Sequence, residues 1–136
     1  MRWLVVVLLV AGCGQKAKPQ PPPAEKEITG VASFAGEWVT DDEMSWSYRL
    51  TIKPDGTLLA TIDRGKLPRC DREGTLAAGE AARKFKLAMR KNTCEQAIAN
   101  AGMADFEVAS FTGDVLTIVV TTNGVPERRT YTRRPN

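Results

Sequence analysis

Short runs in which apolar and polar residues alternate, separated by turn residues, make up most of this chain. The clearest run is 46–53, where Trp46, Tyr48, Leu50 and Ile52 fall on one face and polar residues on the other, the period of two of a half-buried strand. Pro54-Asp55-Gly56 follows with turn chemistry, and residues 57–63 return, so the pair predicts a β-hairpin. Residues 84–90 alternate with Phe85, Leu87 and Met89 on the inner side. Residues 105–111 and 115–121 flank Thr112-Gly113-Asp114, a short hairpin connection. Asn123-Gly124 is the strongest two-residue turn signal, but Val125-Pro126 after it predicts a longer loop before a last strand at 128–133. Weaker strand patterns cover 36–40 and 71–76. Only residues 93–101 look helical, with Thr93 or Asn92 as cap, Glu95 and Gln96 in the first turn, and Gly102 as stop. Eight strands, with one short helix between the fifth and sixth, predict an all-β sandwich or barrel.

The first residues follow a different pattern. Arg2 precedes the apolar run from Trp3 to Leu9, and small residues lead into a cysteine at Val10-Ala11-Gly12-Cys13. A basic start, a short apolar stretch and small residues describe a secretory signal, and the run falls short of the ~20 apolar residues a membrane span needs. With its cysteine the motif resembles the lipobox of bacterial lipoproteins; an ordinary signal peptide with an incidental cysteine, or a short buried strand, are the alternatives. The resemblance implies cleavage before Cys13, a thioether-linked diacylglycerol on it, and acylation of the new N-terminus, an anchor whose acyl chains each contribute ~0.8 kcal/mol per buried CH₂. Gly14 stands where many inner-membrane lipoproteins carry Asp, which by the same analogy points to the outer membrane. Residues 14–27 hold four prolines and no aliphatic side chain larger than Ala, too little apolar surface to fold. In polyproline II form they would space a domain up to ~40 Å from the membrane. The expected organisation is a signal peptide at 1–12, a lipidated cysteine and tether at 13–29, and a β domain at 30–136.

Charge narrows the partners only slightly. The chain has 19 Lys and Arg against 16 Asp and Glu, and loss of Arg2 with the signal brings the two nearer still, a balance that argues against a nucleic-acid partner. Cysteine is more informative. With Cys13 assigned to lipid, Cys70 and Cys94 remain as an even pair in an exported chain, and a disulfide between them is expected. Closing a loop of about 25 residues is worth ~3 to 4 kcal/mol. Two free thiols are one alternative. A two-cysteine metal site is another, but no histidine is present, so carboxylates would have to complete it.

Gly36-Glu37-Trp38 opens the first strand and is similar to the Gly-x-Trp signature of lipocalin-type up-and-down barrels. Other small barrels and two-sheet lipoprotein domains of the META type also begin this way. The lipocalin resemblance implies an antiparallel meander in which an Arg near the last strand covers Trp38 at the closed end, a part open to Arg129, Arg133 or Arg134.

Candidate chemistry is sparse. Without histidine the chain lacks the usual general base and the commonest metal ligand, so no catalytic residue, metal or cofactor is expected. The acidic group Glu37, Asp41, Asp42 and Glu43 lacks the alternation and glycine of a calcium loop and reads as a solvated turn. Arg128, Arg129, Arg133 and Arg134 crowd the last strand, but alternation puts Arg129 and Arg133 beside Tyr131 on one face and Arg128 and Arg134 on the other. Edge charges that block strand-to-strand association are the favoured reading of that group. The apolar set Trp46, Tyr48, Phe85, Leu87, Met89, Phe106, Leu116 and Ile118 either fills the barrel or lines a ligand site, since eight strands enclose just enough space for one or the other. A filled interior is the more economical use of about 105 residues. The expected function is that of a membrane-tethered, non-enzymatic module binding a small apolar molecule or an envelope protein; the alternative is a structural or chaperone-like lipoprotein in an envelope assembly.

Overall fold

The computed structural model describes residues 24–94 and 102–135. A 3-10 turn at Val31–Phe34 leads into eight strands: β1 (Gly36–Asp41), β2 (Ser47–Ile52), β3 (Thr57–Asp63), β4 (Cys70–Ala78), β5 (Lys84–Asn92), β6 (Met103–Phe111), β7 (Val115–Thr122) and β8 (Val125–Arg133). Each pairs antiparallel with the next and β1 pairs with β8, so the sheet closes into a barrel in chain order. The described residues are all-β apart from the 3-10 turn, and the expected strands are all present. Most of the predicted helix at 93–101 lies outside the described residues, and Thr93 and Cys94, which are described, form a bend.

Two expectations about boundaries change. The loop expected after Asn123-Gly124 is a two-residue turn: Asn123 and Gly124 take φ of 52° and 76°, and β8 starts at once with Thr122 opposite Val125. Positive φ at both central residues defines the tight hairpin turn whose twist matches the strands, and Asn-Gly tolerates it best. Pro126 is accommodated because β8 meets β1 only at Arg133 and Thr132, so residues 125–131 have a strand neighbour on one side only. The domain also begins earlier than residue 30. Ile28 is buried in the core, the Lys26 N–H donates to the Phe111 carbonyl at 2.7 Å, and the Glu25 carboxylate accepts from Ser110, the Phe111 N–H and Arg83. The Phe111 and Ser110 bonds, followed by Arg83, hold the Glu25 carboxyl below the usual range.

Up-and-down connectivity gives the barrel two ends. One carries the 3-10 turn, the β2–β3, β4–β5 and β6–β7 turns and the C-terminal residues; the other carries the β1–β2, β3–β4, β5–β6 and β7–β8 connections. The first end is closed by aromatic packing. Phe34 stacks on Phe106 at 6.2 Å and meets Phe85 edge-on at 5.3 Å, while Trp38 meets Phe111 edge-on at 6.1 Å. A bulge between Val108 and Ser110 in β6 brings Phe111 inward, where plain alternation would have placed Ser110. The Trp38 indole donates from Nε1 to the Phe34 carbonyl at 3.1 Å, so the buried ring leaves no polar atom unsatisfied.

Candidate functional site

The other end is open. A cavity of about 450 Å³ lies inside it, lined mainly by apolar side chains on the inner face of β2 to β8. Leu50, Leu58, Leu87, Phe106 and Ile118 form its deeper wall, all buried, and Tyr48, Ala60, Met89 and Val120 sit nearer the mouth, partly buried. A filled interior was the economical expectation; it holds at the closed end, and the open half is hollow. The reason is residue size. Ala60 and Ala104 line the cavity where larger aliphatic side chains would fill it.

Of the apolar set singled out in the sequence, Tyr48, Leu87, Met89, Phe106 and Ile118 line the cavity. Phe85 and Leu116 lie in the packed core without lining it. Trp46 precedes β2, is half-buried, and lies outside the cavity wall. Its backbone is held instead by the β1–β2 turn. The Asp42 carboxylate accepts from the Trp46 N–H, the Met44 N–H and the Tyr48 hydroxyl, each at 2.9 Å. Burial works to raise the Asp42 carboxyl, but the bonds from Trp46, Tyr48 and Met44 together keep it below its ordinary value. Asp42 is thus a turn-organising residue, and Asp41 accepts from the Ser47 hydroxyl at 2.7 Å beside it. Glu37 faces outward and pairs with Arg134 at 3.0 Å. The acidic cluster is therefore divided between two ends of β1, and no group of three or more metal-ligating side chains occurs among the described residues.

The arginines of β8 go to different places. Arg133 covers Trp38 at the closed end, its guanidinium 4.4 Å from the ring centroid, and donates to the Gly113 carbonyl at 2.8 Å and the Ala35 carbonyl at 3.3 Å. Gly36 permits this, since a Cβ there would come within 2.4 Å of the Arg133 guanidinium and its φ of 146° suits glycine. Arg129 does not share that role. It points into the cavity and lies 3.7 Å over the Tyr48 ring, reaching from β8 to β2 across the end of β1. Arg128 stays exposed on the outer face.

Arg129 also donates to Glu127 at 2.6 Å. Burial pulls its guanidinium down, but the Glu127 bond together with the electrostatic effects of Tyr131, Tyr48 and Glu127 outweighs this, so the charged form is favoured. Tyr131, one position deeper on the same face, is buried, and burial pushes its hydroxyl up to about 12 against the opposing effect of Arg129. Arg72 of β4 lines the cavity as well. The sequence reading passed over Arg72, although the pattern held the signal: with Cys70 and Leu76 inward, period two puts Arg72 inward too. Asn92 was missed for another reason. A register shift between β4 and β5 pairs Glu73 with Lys91 and Gly74 with Met89, so one extra residue intervenes and Asn92 reaches the wall where alternation favours Lys91.

Cys70 and Cys94 form the expected disulfide, with Cα atoms 4.9 Å apart. It ties the start of β4 to the connection after β5, beside the mouth. Thr93 reinforces the tie: the Asp71 N–H donates to its hydroxyl at 2.7 Å and its own N–H donates to the Asp71 carbonyl at 2.9 Å. Around the same rim stand Met44, Leu67, Met103 and Val125, the large exposed apolar side chains of the described residues, one in or next to each of the four mouth connections. The barrel thus presents a hollow, apolar, stapled cup with a sticky lip. No family model, curated protein or solved structure matches this chain.

Proposed function

We propose that this protein is a lipid-anchored bacterial envelope protein whose barrel binds one small apolar molecule in the open half, without catalysing a reaction. The observation that carries the binding reading is the cavity itself: about 450 Å³, open at one end and walled by aliphatic and aromatic side chains, within the size range of small-molecule sites. Anchoring rests on the lipobox-like Val10-Ala11-Gly12-Cys13, and the Cys70–Cys94 disulfide supports an oxidising compartment. The outer membrane, facing the periplasm, is the reading that Gly14 favours. Kinship to lipocalins is supported by Gly36, Trp38 and the covering Arg133.

Native mass spectrometry of the chain purified from envelope membranes tests the binding reading. One bound small molecule is expected, and it should be absent from Met89→Trp, whose indole fills the upper cavity. A wild-type chain that carries no adduct and takes up none from an amphiphile panel would defeat it. For the anchor, the mass of the N-terminal peptide should include the diacylglyceryl and N-acyl groups on Cys13, and Cys13→Ser should release the protein from membranes. The four-residue apolar rim favours a second reading, a protein partner at the mouth in an envelope assembly; stoichiometric co-purification lost in Leu67→Asp and Val125→Asp would select it.

A further inference from the structure

Asn123 and Gly124 make the β7–β8 turn at the mouth, with φ of 52° and 76°. Asn123 is the one asparagine of the sequence that precedes a glycine; Asn92 is followed by Thr93 and Asn100 by Ala101. The order matters chemically, because a backbone nitrogen can attack the side-chain carbonyl of the residue before it, and glycine brings no Cβ to obstruct the approach. Both residues are exposed, and a Cβ built on Gly124 would meet nothing. The ladder bonds at this end of the hairpin belong to Thr122 and Val125. Neither the Gly124 N–H nor the Asn123 carboxamide has a hydrogen-bond partner among the described residues. Residues 125–131 of β8 have a strand on one side only, so the turn can relax toward ring closure without breaking a pairing to β1.

Asp55-Gly56, in the β2–β3 turn, offers the same order of residues and the opposite environment. The Asp55 carboxylate accepts from the Thr57 N–H at 2.8 Å, and the Gly56 N–H donates to the Lys53 carbonyl at 2.9 Å. Gly56 is also buried, with the Leu76 carbonyl 2.5 Å from where a Cβ would stand. Both reacting groups are tied there. Asn92 is held as well, its side-chain oxygen accepting from the Cys94 N–H at 2.9 Å.

We propose that Asn123 is a site of spontaneous covalent modification, in which its carboxamide cyclises onto the Gly124 nitrogen and is then hydrolysed. The Gly124 nitrogen forms a bond to the Asn123 side-chain carbonyl carbon, the carboxamide C–N bond breaks, and ammonia leaves with the proton that Gly124 gives up. Solvent water then opens the five-membered imide at either carbonyl. One product is aspartate; the other is isoaspartate, in which the main chain runs through the side-chain carbon and is longer by a methylene. The isoaspartate linkage cannot keep Thr122 opposite Val125 across two residues, so the β7–β8 turn loosens. Either product adds a carboxylate to a mouth whose lining already includes Glu127.

The test holds the chain purified from envelope membranes at body temperature and mildly alkaline pH, and follows it by peptide mapping over weeks. A second sample is kept unfolded in guanidinium chloride. In the folded chain the peptide spanning Asn123 should gain the mass of an amide-to-acid exchange, as two separable products with isoaspartate the larger. This should run an order of magnitude ahead of any change at Asn92, Asn100 or Asp55. The isoaspartate fraction should melt below the Asn123→Asp variant, which carries the charge without the added methylene. A folded chain that keeps Asn123 intact, whether or not the unfolded chain converts, would overturn the proposal. So would isoaspartate appearing at Asp55 as fast as at Asn123, since the free carboxamide and N–H would then not be what selects the site.

Discussion

The two ends of this barrel are built from the same strands, yet one is solid and the other hollow. At the closed end four phenylalanines and Trp38 interlock, and each of these five rings is at most 4% exposed. At the open end the same strands carry Ala60, Ala104, Met89 and Val120, and polar groups replace the aromatic contacts. Burial makes the first end the source of stability, since each aromatic side chain buries a large apolar area. The second end contributes less to folding and leaves the proposed binding cavity open. The lesson is that one continuous sheet separates a packed half from a hollow half along its axis, largely through side-chain volume.

Four measurements probe that division. Trp38→Ala should cost ~3 to 5 kcal/mol in urea unfolding, whereas Met89→Ala should cost about 1 kcal/mol; equal losses would erase the contrast. Reduction of the Cys70–Cys94 bridge should lower stability by about 3 kcal/mol, because it releases a 24-residue separation in the unfolded chain. Arg133→Met should cost about 2 kcal/mol, since it strips the donors from the Gly113 and Ala35 carbonyls and uncovers Trp38. Arg129→Met at the open end should cost less than half of that.

A pH-dependent effect concerns Tyr131, which borders both halves. Its folded hydroxyl titrates at about 12 against an ordinary 10, so the neutral form is held by the fold. Its stabilising effect is complete below pH 10 and is lost as pH rises toward 12, where the unfolded chain has already released the proton. Unfolding free energies at pH 9 and 11 should differ by about 1 kcal/mol more in the wild type than in Tyr131→Phe. A difference of zero would mean that water reaches the hydroxyl and that the hollow extends deeper than Tyr131.

Strand positions were legible because alternation is a local property: Tyr48, Leu50 and Ile52 announce their face whatever lies opposite. The disulfide was legible because an even pair remained once Cys13 was set aside. What escaped depends on pairing between strands. The shift that delivers Asn92 to the wall and the bulge that turns Phe111 onto Trp38 are two-strand features, which a single run cannot encode. Arg129 and Arg133 share a face in sequence, and only closure of β8 onto β1 near Thr132 and Arg133 sends one to Trp38 and the other to Tyr48. Whether the interior is filled depends on the sum of volumes at one height of the barrel, and Ala60 and Ala104 reveal it only once their height is known.

Glu25 and Lys26 are fastened to the end of β6, so the leading segment joins the barrel at the pole farthest from the mouth. Nine-residue strands at the usual tilt span about 23 Å of height. The eleven residues 13–23 reach at most about 40 Å when drawn straight. If the chain is held through Cys13, as proposed, its point of attachment to the barrel is the closed pole and the mouth is the end opposite.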